Sequence, residues 1–419
     1  MNREKAQIIA FNTQGITSAA AAARISTGEG NALGAYAKSG NPEKDLKLIG
    51  KVLSSGHHTI IEHAYFTVAF NDVSVLCEQL MIEHRLASYT VKSRRYVDFS
   101  GAGFVMPEGA DEGFRSHMEG LFGIYSRLLE MGIPKEDARF VLPYCFRSNF
   151  IMSMNARELI HIIGQMLKGC LSVYPEMRYL GEMLKTQLDE IFPGISEAEY
   201  RFINGFETPE PIEAVEPASP VTPEVELVSA TDNKVLESAL QFSYRKDKSL
   251  KSLVHDERPR ELETLSYTFK IRHVSLATLT HFTRHRILGL MVEPVTAACE
   301  NNRYVVPDSV SSNPEALKLY TSAFENVPLC ENPLLQPYYA LAGETVDLML
   351  TMNARELLHF LRLRTCTRAQ WEVRGIAKEM LAQLVEIYPE LFRYYGPSCA
   401  VLGRCTEGKL SCGRLVRPE

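Results

Sequence analysis

This chain has no apolar run long enough to cross a bilayer, which takes roughly 20 consecutive residues, and its opening Met1-Asn2-Arg3-Glu4-Lys5 has no apolar leader core. Neither a membrane partner nor a secretory route is expected, and a cytoplasmic location follows by default. Positive charge is also scarce: 45 Lys+Arg against 51 Asp+Glu leave a formal net charge of −6. No global field draws such a chain to nucleic acid, so any anion site has to be local. Cysteine is spread thin. Most of the nine stand singly in apolar stretches, as in Leu76-Cys77 and Tyr144-Cys145, which is the usage of reduced, buried thiols in an intracellular protein. Cys399, Cys405 and Cys412 near the end lack the spacing of a CxxC knuckle. Zinc with a fourth ligand and free or packing thiols both stay open there, and no metal ligand set is assigned. Tryptophan occurs once, at Trp371, and reads as helix packing.

What the chain does contain is one signature written twice. Met154-Asn155-Ala156-Arg157-Glu158-Leu159-Ile160-His161 returns as Met352-Asn353-Ala354-Arg355-Glu356-Leu357-Leu358-His359. Glu83-His84-Arg85 precedes the first copy and Arg284-His285-Arg286 the second. Each copy is followed by a Glu-Met-Leu helix, ending at Phe192-Pro193 and Tyr388-Pro389. Conserved order and spacing within one chain mark an internal duplication. The 419 residues are enough for two domains with full cores. The stretch 206–232 holds Pro209, Pro211, Pro217, Pro220 and Pro223 among many glutamates. It reads as a linker, because proline without apolar periodicity builds no packed element. The expected organisation is therefore a first repeat at 1–205, a linker at 206–232 and a second repeat at 233–419.

Both halves read as α+β with few strands. An opening helix leads to a strand at Tyr65–Phe70 or Leu265–Ile271. A helix at Val75–Arg85 or Leu276–Arg286 then carries the His-Arg pair. Arg95-Tyr96 or Arg303-Tyr304 enters an extended segment, and apolar spacing at Leu357, Leu358, Leu361 and Leu363 suits a largely buried helix.

The second half is unusual in setting Arg284, His285, Arg286, Asn353, Arg355, His359, Arg362 and Arg364 among apolar neighbours. Buried guanidinium groups need anionic partners or cost several kcal/mol. Nearby carboxylates are few, mainly Glu356 and Glu372. Salt bridges to the other half are one answer. A phosphate-bearing ligand or a uracil-type carbonyl, matched by paired guanidinium donors, is the other.

These residues carry a family resemblance. His57-His58-Thr59 through His63, Ser93-Arg94-Arg95-Tyr96, Arg284-His285-Arg286, and Asn353-Ala354-Arg355 running on to Arg364 and Ala369-Gln370-Trp371-Glu372 resemble the flavin-dependent thymidylate synthases. The resemblance spans both halves and leaves out chiefly the linker. It implies FAD, NADPH and methylenetetrahydrofolate as cofactors, and a uracil nucleotide methylated at C5, dUMP to dTMP. It also implies sites built from several subunits of a tetramer, which a homodimer of tandem chains would mimic.

Carried over residue by residue, the two halves are complementary. The first keeps Ser93, Arg95 and Arg139 but has Glu83 and Met166 where arginines belong. The second keeps Arg284 and Arg364 but has Asn301 at the serine position and nothing like Arg139 near Pro337. One composite site is expected, with Ser93, Arg95 and Arg364 as catalytic residues and Ser93, Arg95, Arg139, Arg284 and Arg364 holding substrate. Flavin contacts are implied at Ser26, His57, Thr59, Arg284, His285, Arg286, Asn353, Arg355 and His359. Ser93 as a covalent nucleophile is disfavoured, since no base is visible beside it. Thr90 and Val91 replace the family's usual Asn-Glu pair, and His359 its usual asparagine. These departures keep two alternatives open: C5 methylation or hydroxymethylation of another uracil nucleotide such as UMP, and a non-catalytic flavin- or nucleotide-binding homologue.

Overall fold

The computed structural model describes residues 5–196, 203, 211–243, 249–325, 327–330 and 332–414. The chain forms two compact units, each built mainly from one repeat. The first comprises Met1–Glu130, Leu142–Glu213 and Pro328–Tyr339; the second comprises Met131–Val141, Ala214–Val327 and Ala340–Glu419. Each unit therefore includes a short segment from the other repeat, which the expected boundaries did not foresee.

In the first unit, strands β1 (Ala6–Phe11), β2 (Tyr65–Ser74), β3 (Ser88–Val91) and β4 (Arg147–Asn155) form an antiparallel sheet in the order β1-β2-β4-β3. Alternation sets its inner face: Phe66, Val68 and Phe70 of β2 are buried while their neighbours are not. Helices α1 (Val75–Ile82), α2 (Ala156–Leu167) and α3 (Pro175–Ile191) follow. Ile160, Ile163 and Met166 of α2 and Leu180, Leu184 and Leu188 of α3 join the same core.

The second unit repeats this plan with β6 (Glu224–Ala230), β7 (Ser266–Ser275), β8 (Gly289–Val292) and β10 (Thr345–Asn353) in the order β6-β7-β10-β8. A two-stranded parallel pair is added by β5 (Ser219–Val221) and β9 (Arg303–Val305). Its helices include α4 (Leu276–Thr283), α5 (Val295–Asn301), α6 (Ala354–Arg364) and α7 (Trp371–Ile387).

The duplication reaches individual hydrogen bonds. Ser74 and Ser275 cap α1 and α4, and each hydroxyl donates to a glutamate in the first turn of a later helix, Glu176 at 2.6 Å and Glu372 at 2.5 Å. Gln187 and Gln383 bond the edge strands at Ile8 and Leu227, beside matching bulges. Asp72 and His273 take the left-handed conformation at the same point of β2 and β7.

Several local expectations are corrected. Each unit's sheet begins with a strand ahead of the first helix, β1 or β6. Strand β6 lies inside the stretch read as linker: its alternating Val225, Leu227 side chains and its pairing with β7 outweigh the proline-rich surroundings. Residues 206–210 of that stretch lie outside the described residues. Helices α1 and α4 stop before the His-Arg triplets, so those triplets occupy the turns that follow. Arg95-Tyr96 stands in a turn, whereas Arg303-Tyr304 does enter a strand. Among the described residues no helix is long and apolar enough to cross a membrane.

Candidate active site

Helix α6 starts directly from β10. Asn353 ends the strand and caps the helix, its Oδ1 accepting the Glu356 amide at 2.8 Å. That junction fixes the first turn, Arg355 and Glu356, against the turn after α4, which carries Arg284, His285 and Arg286. Together they enclose a cavity of about 770 Å³ lined by Glu263, the 284–287 turn, and the Asn353, Arg355, Glu356, His359, Leu363 and Arg364 side of α6. Arg355 and Arg364 are nine residues apart, roughly 13 Å along a helix axis, so the cavity suits an elongated ligand. Its volume lies within the range usual for small-molecule and cofactor sites.

Four arginines face two carboxylates in this lining, which leaves the cavity positive while His285 stays neutral. Burial pushes the His285 pKa down, against the upward pull of its hydrogen bond to Glu356. His285 Nδ1 lies 3.0 Å from Glu356 Oε1, and Arg364 Nε donates to His285 Nε2 at 3.2 Å. Because guanidinium only donates, Nε2 is the acceptor and the ring proton sits on Nδ1, facing Glu356. Arg355 pairs with Glu263. His359 packs edge-on to His285, with ring centres 5.6 Å apart.

The expectation that these arginines are buried is corrected in part. Arg284 and Arg286 are exposed at the cavity wall, and Arg355 and Arg364 are half-buried. The turn lies beyond the C-terminus of α4, and Arg362 and Arg364 occupy the last turn of α6. Helix C-termini favour cations, which lowers the cost of gathering them.

Seven residues expected to carry the chemistry thus meet in one cavity of the second unit: Arg284, His285, Arg286, Asn353, Arg355, His359 and Arg364. Glu263 was missed. Its signal was available, because the first repeat pairs Arg157 with Glu62 at the same positions, and Glu62 lies in the His57–His63 stretch.

Arg139 also belongs to the second unit, through the 131–141 segment, but it is not in the cavity lining. It is buried, and donates to Glu136 O at 3.1 Å and Ala277 O at 3.5 Å. Its segment is anchored around Trp371, whose ring stacks on Phe140 with centres 5.9 Å apart and whose Nε1 donates to Asp137 at 2.8 Å.

Ser26, His57, Thr59, Ser93 and Arg95 belong to the first unit. Ser26 is exposed and donates to Ala23 O. His57 and Thr59 are exposed at the short 3-10 helix His58–His63, against which the helix Gly15–Thr27 packs. Ser93 accepts the Arg95 amide at 3.4 Å in the turn after β3. The adjacent Arg94 turns inward to Glu78 at 2.8 Å, which leaves Arg95 half-buried above the Tyr96 ring.

At the positions equivalent to the cavity lining, the first repeat has His84 Nδ1 3.5 Å from Glu158, Glu83 accepting from Gln79, and Met166 fully buried in the core. In the second repeat the place of the Ser93 turn is taken by α5, where Asn301 is the last helical residue. Asn302 follows in the left-handed region, its side-chain Nδ2 donating to Glu216 O and Phe324 O. Cys399 and Cys412 both approach Arg414 O. Among the described residues no group of three or more His, Cys, Asp or Glu side chains is arranged to hold a metal.

The family model described as thymidylate synthase complementing protein matches residues 7–194 and again 226–390. The flavin-dependent thymidylate synthase of Geobacter sulfurreducens is 40% identical over 146 residues, 33% of this chain and 62% of that protein. The one from Clostridium tetani is 31% identical over 209 residues, 43% of this chain and 83% of that protein. The one from Thermococcus onnurineus is 34% identical over 161 residues, 35% of this chain and 65% of that protein. The chain thus spans less than two thirds of the Geobacter and Thermococcus relatives.

Proposed function

Because the chain belongs to the flavin-dependent thymidylate synthase family, we propose that it methylates dUMP to dTMP with FAD, methylenetetrahydrofolate and NADPH, in the cytoplasm. The observation that carries this reading is the arginine-lined cavity on α6 and the 284–286 turn. Its donors fit a flavin dinucleotide: guanidinium groups at Arg284, Arg286 and Arg355 match a diphosphate or ring carbonyls, and Asn353 and His359 add uncharged partners. When bound there, reduced flavin supplies the hydride for a carbon drawn from the folate.

The protein's own part is binding and electrostatics. Ser93, Arg95, Arg139 and Arg284 hold the nucleotide, and Arg364 meets charge that builds on a uracil carbonyl as C5 becomes nucleophilic. Fixed cations aimed at developing charge need no reorganisation during the reaction. Ser26, His57 and Thr59 contribute to flavin binding from the first repeat. The sorted losses support one composite site in place of two: Glu83 and Met166 stand in one copy where Arg284 and Arg364 stand in the other. A homodimer of tandem chains would stand in for the family tetramer.

A second reading rests on β3. Its sequence, Ser88-Tyr89-Thr90-Val91, offers no carboxylate where the family usually has Asn-Glu, and a ribonucleotide such as UMP is the alternative substrate.

The test is anaerobic turnover of C5-tritiated dUMP and UMP with NADPH and methylenetetrahydrofolate, after flavin content is measured by absorbance. Tritium release from dUMP with dTMP formed is the expected result. Release from UMP alone selects the second reading. No release from either, with flavin bound, overturns both and leaves a binding role.

A further inference from the structure

Glu356 is the third residue of α6, counted from its asparagine cap. A glutamate at that position ordinarily reaches back to the cap residue's own amide. Here its carboxylate faces the neighbouring turn and accepts a hydrogen bond from His285 Nδ1–H, and the far nitrogen of that ring accepts one from Arg364 Nε. Glu356 and His285 are both almost fully buried, so water competes little for either bond. We propose that Glu356 is a positioning residue that sets the Arg364 guanidinium through His285. The role of Arg364 at the substrate carbonyl rests on the reading above.

Three observations support this. The two hydrogen bonds assign one tautomer, and a carboxylate facing Nδ1 is what holds it. Arg364 lies half-buried in the last turn of α6, and it is its Nε, the nitrogen nearest the stem, that the ring holds. The first repeat supplies an internal comparison: His84 and Glu158 persist, but the third place is Met166, and the pair is looser at 3.5 Å against 3.0 Å. The charged or titratable groups facing His285 are Glu356, Arg364 and His359.

Two measurements on the full-length holoenzyme test the relay. The first is ¹⁵N NMR of histidine-labelled protein at pH 7.5, with the His285 signal assigned by its loss in His285→Gln. A neutral Nδ1–H tautomer that is lost in Glu356→Ala is expected. An Nε2–H tautomer, an imidazolium, or a tautomer indifferent to Glu356 overturns the proposal, whether or not the enzyme turns over dUMP.

The second is a double-mutant cycle on dUMP binding, with Glu356→Gln as a volume-preserving variant. Glu356→Gln is expected to weaken dUMP by about tenfold in the wild-type background and by less than twofold beside Arg364→Ala, each measured on protein of matched flavin content. Equal losses in both backgrounds would show a merely structural role. Glu158→Gln, the first-repeat counterpart, is expected to leave dUMP binding unchanged. If the wild-type protein binds no dUMP, the functional reading fails and the tautomer alone decides the relay.

Discussion

Met166 and Arg364 hold the same place in two copies of one helix, and their surroundings are opposite: Met166 is sealed in the core of its unit, while Arg364 lines an arginine-rich cavity and donates to His285. That single exchange separates a helix end sealed in a core from one that opens on a charged cavity.

Reversing it in each direction should have unlike effects. Arg364→Met is expected to lower kcat/KM for dUMP by roughly a hundredfold, the scale of losing a group that meets charge in the transition state, with little change in thermal stability. Met166→Arg is expected to destabilise the protein by about 3 kcal/mol or more, since it places an unpaired charge in a packed core. Steady-state kinetics and denaturant unfolding of the two variants separate the cases.

The 131–141 segment ties the first repeat into the second unit through Asp137, Phe140 and Trp371. Trp371→Phe removes the indole donor to Asp137 and leaves the Ser309 hydroxyl at 2.6 Å. A stability loss of about 1–3 kcal/mol is expected, the cost of leaving a buried acceptor short of a partner. By the same reasoning, residues 233–419 expressed alone, lacking both this segment and β6, are expected to be insoluble. Co-expressed 1–213 and 214–419 should co-purify as a folded pair. Size-exclusion chromatography with circular dichroism reads the outcome.

Glu344 is fully buried; only its Oε2 accepts a bond, from the Leu341 amide, and burial pushes its pKa up to about 8. A carboxyl raised in this way binds its proton more tightly folded than unfolded. Its contribution to stability is therefore fully present below the unfolded value near 4.5 and is lost as pH rises toward 8. Glu344→Gln removes this dependence. Calorimetry at pH 5 and pH 9 should find the variant gaining stability relative to wild type only at the higher pH.

His285 behaves in the opposite sense. Its pKa is lowered by burial, so its neutral form is favoured in the folded state. The stability and the Arg364 contact that depend on that form are lost as pH falls below the ordinary histidine value and through the depressed one. An acid limb in kcat is expected below about pH 6.5, and His285→Gln should flatten it.

Much of this was legible in the sequence, because duplication lets one half comment on the other. The Asn-Ala-Arg helices and the strands at Tyr65 and Ser266 lie where periodicity and motif order put them. The misses share one physical cause: the deciding partner is remote in sequence. Strand β6 exists because β7 offers it a ladder, which the prolines around it concealed. Glu263 gains meaning only from Arg355, 92 positions away. Asn301 aligned with Ser93 by spacing, but the longer spacer winds into α5. The cavity itself was foreseen as a set of residues, whereas the relay from Glu356 through His285 needed distances.

The proposed enzyme works through one site, built on the second repeat's arginines. Matched substitutions at Arg284 and Glu83, each to Ala, test it most directly by C5-tritium release from dUMP under anaerobic conditions. Arg284→Ala is expected to lose at least about tenfold in kcat/KM while Glu83→Ala stays within twofold of wild type. Equal losses in the two variants would contradict it.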